Sequence, residues 1–171
     1  MLLRVVGAAM VFLAGYSSGR VLSASLRRRP GELRDLQAGF GLLDTEVCHG
    51  LTPLPEALAR VGRALPAPGG RVFGEAGRLL ESGTPVSEAW IGAVEAFYPS
   101  SAWTGEDREA VASLAPVLGR SGREDQHRHL LLVRERLARQ EAEARAQRDR
   151  YERLWSYLGA LAGVGVVLVF L

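Results

Sequence analysis

Charge is missing from both ends of this chain and crowded into its middle. Residues 5–19 carry no charged side chain, and neither do residues 154–171, whereas nearly all the Asp, Glu and Arg of the 171 residues lie between them. At about 1.5 Å per residue, a helix over the last stretch is about 27 Å long, close to the roughly 30 Å of a hydrocarbon core. Tyr151, Trp155 and Tyr157 cluster where that stretch begins, as aromatic rings do at headgroup depth. The first stretch follows Arg4 and ends before Arg20, whose long stem lets its charge reach an interface. The pattern predicts an N-terminal transmembrane anchor over 1–26, a soluble-type domain over 27–153, and a C-terminal transmembrane anchor over 154–171.

The flanking charges predict the orientation. Arg27, Arg28 and Arg29 follow the first apolar stretch, and Arg145, Arg148, Arg150 and Arg153 precede the second. Positive charge beside a membrane span stays in the cytoplasm. Both clusters then lie on one side, and the domain between two membrane passes is cytoplasmic. The competing reading is a cleaved signal peptide, with Ser23, Ala24 and Ser25 near the cut. It would leave an extracytoplasmic binding or enzymatic domain tethered by its C-terminal helix. The Arg triplet argues against it.

Within 27–153 the apolar residues recur at helical spacing. Leu33, Leu36, Phe40, Leu43 and Val47 form one stripe, closed by Gly50. Thr52 and Pro53 read as an N-cap and first helical residue, followed by Leu54, Leu58, Val61 and Leu65. Val72, Phe73, Ala76, Leu79 and Leu80 mark a third helix ending at Gly83. Thr84 and Pro85 open a fourth, with Val86, Trp90, Val94 and Phe97 inward. Thr104 and Asp107 have capping-box spacing for a fifth helix, which Pro116 should shorten, and Ser121 with Glu124 repeats that spacing. No Gly or Pro then occurs from Arg123 to Leu158, predicting one long helix. Its part from Arg139 to Arg153 is nearly all charged or Ala and reads as an exposed strut, with ion-pair spacing at Glu135–Arg139 and Glu141–Arg145. No segment alternates with period two. The predicted fold class is all-α, a bundle of about six helices.

Little in the sequence suggests catalysis. Cys48 and His49 are adjacent and point roughly 100° apart on a helix. His127 and His129 are two apart, do not share a helix face, and read as solvated. Glycines 69, 70 and 74 lack the Lys-Ser/Thr of a phosphate loop. The 21 basic residues are all Arg and are interleaved with 19 acidic ones, which speaks against a nucleic-acid face. The carboxylates read as solvated ion-pair partners. One cysteine forms no internal disulfide. The expectation is a non-enzymatic binding domain with no cofactor, metal or small-molecule substrate. Gly15 with Gly19, and Gly159 with Gly163, match the spacing that lets membrane helices pack closely.

Two similar units stand out. Gly50-Leu51-Thr52-Pro53-Leu54-Pro55-Glu56-Ala57-Leu58 and Gly83-Thr84-Pro85-Val86-Ser87-Glu88-Ala89-Trp90 share a Gly, a Pro, an apolar residue and Glu-Ala before another apolar residue. This resembles the turn-and-helix signature of the type II secretion F domain. Arg34-Asp35-Leu36-Gln37, Leu43-Asp44-Thr45-Glu46, the Pro53 unit, Leu118-Gly119-Arg120-Ser121-Gly122-Arg123-Glu124-Asp125-Gln126 and Trp155-Ser156-Tyr157-Leu158-Gly159 together resemble the stage III sporulation protein AB family over the whole chain. Gly122 departs from the Asp of many members. The resemblance implies a component of the secretion-like apparatus joining mother cell and forespore in endospore formers. Its domain would lie in the mother-cell cytoplasm, with anchors in the outer forespore membrane. Expected partners are the secretion-ATPase-like protein AA and membrane channel components encoded with it. The resemblance brings no catalytic residues. It makes Pro53, Pro55, Glu56, Pro85, Glu88, Trp90, Arg123, Glu124 and Gln126 candidates for interaction.

Overall fold

A computed structural model describes residues 25–66, 68–119 and 122–170, with side chains described as far as Leu154. Every regular element among them is helical. Helix α1 covers residues 25–44 and widens into a π-helical turn, Thr45–His49. Then come α2 (Leu54–Ala64), α3 (Gly70–Glu81), α4 (Val86–Phe97), a 3-10 turn (Tyr98–Ser100), α5 (Gly105–Ala112) and α6 (Arg123–Phe170). The all-α class and six-helix count match the periodicity.

The stripes meet in one core. Leu33, Leu36, Phe40 and Leu43 of α1, Leu58 and Val61 of α2, and Val72, Phe73 and Ala76 of α3 are all buried. Leu130, Val133 and Leu137 of α6 join them. Phe40, Phe73 and Trp90 form a three-ring cluster with centroids 5.3–5.9 Å apart. Trp90 also donates Nε1–H to the carbonyl of Val111 at 2.8 Å, tying α4 to α5. Helices α2 and α3 approach so closely that a Cβ on Gly62 would stand 2.7 Å from the amide nitrogen of Gly74.

Helix α5 begins with the predicted capping box. Asp107 N–H reaches the Thr104 hydroxyl, and the Asp107 carboxylate accepts from Thr104 N–H. The helix ends at Ala112, before Pro116, and turns carry the chain to Gly119 at φ +70°. The start of α2 differs from expectation. Pro53 occupies the cap position with φ −55° and ψ 139°, and the Thr52 hydroxyl instead donates to Glu46 at 2.8 Å. Proline has no N–H to cap and its fixed φ suits the residue that leads the chain in.

Helices α1 and α6 run antiparallel for most of α1. Arg27 pairs with Glu152, Arg34 and Gln37 bind Glu141, Asp44 meets His127, and the Cys48 thiol donates to the carbonyl of Arg123. This shortens the expected strut, whose exposed part begins after Ala144 rather than at Arg139. Gln140, Glu141 and Ala144 are buried, so α6 remains packed through Ala144. Glu141 pairs with Arg145 as the spacing predicts, but Glu135 makes no ion pair with Arg139 among the described residues. The solvated reading of the carboxylates also fails at four places, one of them Asp44, buried against His127. Asp107 is fully buried against Arg29, Glu32 is buried beneath Arg28, and Glu141 is buried among Arg34, Gln37 and Arg145.

No helix among the described residues is long and apolar enough to cross a membrane. The expected first anchor, with Gly15 and Gly19, and the capping residue Ser121 lie outside the described residues, apart from positions 25 and 26 of that anchor. From residue 155 onward, where Gly159 and Gly163 fall, α6 is described as helical backbone alone.

Candidate functional site

The α1–α6 pair gives the domain two poles. At the near pole, Arg27 beside Glu152 brings the start of α1 against the later part of α6. The far pole holds the end of α1, the starts of α2 and α4, and the start of α6. A Cβ on Gly119 would lie 3.2 Å from Leu54 and 3.3 Å from Val86, the first residues of α2 and α4.

The two sequence units are one structural device used twice. Pro53 and Pro85 cap their helices with nearly identical backbone angles, ψ 139° and 143°. Each accepts at its carbonyl from the Ala of the Glu-Ala pair, Ala57 at 2.9 Å and Ala89 at 2.8 Å. Glu56 and Glu88 fall in the first turn, where a negative charge faces the positive end of the helix dipole. Ala57 and Ala89 are buried, and so are the apolar residues after them, Leu58 and Trp90. Pro53, Glu56, Pro85 and Glu88 face solvent, and Pro55 is half-buried. Glu56 holds Arg60 at 2.7 Å. Trp90 therefore serves the core and is no part of an exposed surface.

The start of α6 completes this pole. Arg123 and Glu124 are exposed, whereas Gln126 is 7% exposed and turned inward. His127 is not simply solvated, since its Nδ1 lies 2.8 and 2.9 Å from the two carboxylate oxygens of Asp44. The His49 ring stands edge-on to His127 at 6.0 Å. Sequence separation hid this pairing, because residues 44 and 127 meet only when α6 folds back along α1. Burial, aided by the Asp44 carboxylate, pushes the Cys48 thiol up to about 11. It stays protonated near neutral pH, and a protonated thiol is a poor nucleophile. Among the described residues no group of three or more His, Cys, Asp or Glu could hold a metal ion.

Leu51 has φ +56°, a left-handed conformation costly for a branched side chain. The backbone around it closes the end of α1, with Gly50 N–H bonded to Thr45 and Thr52 N–H to Glu46. Leu51 is also 59% exposed, so its side chain gains little from packing to offset that cost.

The far pole thus brings together two proline-capped helix starts and the start of α6. The family model described as stage III sporulation protein AB matches residues 4–171. Stage III sporulation protein AB of Bacillus subtilis (strain 168) is 25% identical over 171 residues, 99% of this chain and 100% of its own length. A solved structure of a stage III sporulation protein AB is 24% identical with a TM-score of 0.67, covering 71% of this chain and 97% of its own. That last likeness speaks to the fold. With the family model spanning nearly the whole sequence, this chain belongs to the stage III sporulation protein AB family.

Proposed function

We propose that this protein is a non-enzymatic platform component of a secretion-like complex that links mother cell and forespore during endospore formation. Both terminal stretches anchor it in the outer forespore membrane. The helical domain stands in the mother-cell cytoplasm and docks the secretion-ATPase-like protein AA to membrane channel components. One observation carries the reading. The directions toward the two apolar ends converge at the near pole, where Arg27 meets Glu152, while the exposed family-motif residues collect at the far pole. A domain built this way offers its outer end to a cytoplasmic partner.

Reporter fusions inserted within residues 60–70 test the orientation, and a cytoplasmic signal is expected. Pull-down of the solubilised full-length chain from sporulating cells tests the partner. Glu56→Arg combined with Glu88→Arg should remove protein AA from the captured material while the domain stays folded, its melting point lowered only by the lost dipole compensation and Arg60 pairing. An extracytoplasmic reporter signal, or capture of AA unaffected by the double reversal, overturns the corresponding part of the proposal.

A further inference from the structure

On the side formed by α2, α3 and α4 there is an open groove of about 710 Å³. Small residues line it, among them Ala59, Gly74, Ala93 and Ala96. Its rim is charged. Glu75 holds Arg78 at 2.5 Å, but Arg63 and Arg71 make no ion pair among the described residues, and Glu81 adds one negative charge. On α6, Ala138, Ala142 and Ala146 recur every four residues and are all exposed. That stripe is edged by Glu135 and Glu143, neither of which is paired among the described residues, and by Arg139.

These surfaces complement each other in shape, charge and height. Alanine faces let helices approach to about 8 Å, close enough for one to lie in a shallow groove. Each surface carries unpaired charge of the sign the other needs. Both also sit at one level along α1. On the groove side, Arg28 binds the carbonyl of Ser100, and a Cβ on Gly69 would meet Asp35. On the α6 side, Glu141 binds Arg34 and Gln37. Copies standing upright in one membrane would therefore present groove and stripe to each other without tilting.

We infer that the groove between α2, α3 and α4 receives the α6 alanine stripe of a second copy of this chain. The surfaces belong to different elements, so the contact is heterologous and repeats from copy to copy, as in a ring or an open array. The equal-height argument rests on the proposed membrane anchoring.

Cysteine cross-linking of the full-length chain in intact cells tests it. In a Cys48→Ser background, Ala96→Cys and Ala142→Cys are coexpressed and treated with a short membrane-permeant bismaleimide. A dimer band is expected for that pair and none for Ser113→Cys with Ala142→Cys. Arg71→Glu or Glu143→Arg alone should lower the dimer yield roughly tenfold, and the two reversals together should restore it. The permeant reagent reads the contact whichever side the domain faces. A cytoplasmic reporter with no dimer therefore overturns the contact alone. A dimer accompanied by an extracytoplasmic reporter keeps the contact and overturns the orientation. Dimer yield indifferent to both charge reversals, or Ala96→Cys linked only to a protein of different mass, also overturns the inference.

Discussion

At the near pole α1 is fastened by Arg29, whose Nε–H and Nη2–H donate to the two carboxylate oxygens of Asp107 at 2.8 and 3.0 Å, with Asp107 fully buried. At the far pole the corresponding fastening is Asp44 to His127, with the His side chain 40% exposed. In the first, both partners are shut away from water; in the second, the Asp44 carboxylate is buried but the imidazole that meets both of its oxygens is open to solvent. Burial makes the first costly to break from one side, because a lone buried charge is left behind. The second loses less, because removing the half-exposed imidazole lets water reach the Asp44 carboxylate it covered. The near pole is therefore the harder of the two to unfasten by a single substitution.

The largest expected effect breaks the near pole. Arg29→Ala should destabilise the domain by about 3–5 kcal/mol by stranding Asp107. Arg29→Ala with Asp107→Ala should cost less than the sum of the two single changes, read by denaturant melts in a double-mutant cycle. Additive single costs would mean that the pair is not coupled. This also changes how the Arg triplet tests topology. Neutralising Arg27, Arg28 and Arg29 together would unfasten α1, since Arg28 binds buried Glu32 and Arg29 binds Asp107. Arg27, 67% exposed at its side chain, is the one to neutralise.

The next effect is in acid. Burial acts to raise the Glu141 pKa, but hydrogen bonds from Gln37 and Arg145 and the charges of Arg145 and Arg34 outweigh it and hold it below the ordinary 4.5. A carboxylate depressed on folding contributes stability that is present above its unfolded value and lost as pH falls through its folded value. Glu141→Gln should therefore flatten the fall of melting temperature below about pH 4.5. An unchanged acid limb would exclude Glu141 as its source.

At the far pole, His127→Ala should cost no more than about 1 kcal/mol. A loss comparable with that of Arg29→Ala would erase the contrast between the poles. The smallest change is a gain. Leu51→Gly should stabilise by roughly 0.5–1 kcal/mol, because glycine adopts the left-handed conformation freely and little packing is lost. A lower melting temperature would mean that the exposed Leu51 side chain packs more than its exposure indicates.

Local order was legible in the residues alone wherever neighbours in sequence decide it. The stripes of α1 to α4, the capping box at Thr104, the stop before Pro116 and the unbroken run of α6 each depend on residues within a turn or two. The repeated Pro-to-Glu-Ala units likewise read as helix starts because capping and dipole effects are local. Trp90 was ambiguous for the same reason. Helical spacing placed it inward, but only packing against Phe40 and Phe73 distinguishes a core ring from an interface ring.

What tertiary structure decided were the pairings across long separations. Arg29 with Asp107, Glu141 with Arg34, and Asp44 with His127 are 78, 107 and 83 residues apart. A charged residue on a helix reads as solvated until another helix covers it, so the burial of Asp107 and Glu141 was invisible in the sequence. The same holds for the poles. The sequence by itself determined that the chain is helical, apolar at both ends and charged between. Only the antiparallel return of α6 along α1 decided that the two directions of exit share one pole and the motif residues the other, because that geometry arises from core packing between segments distant in the chain.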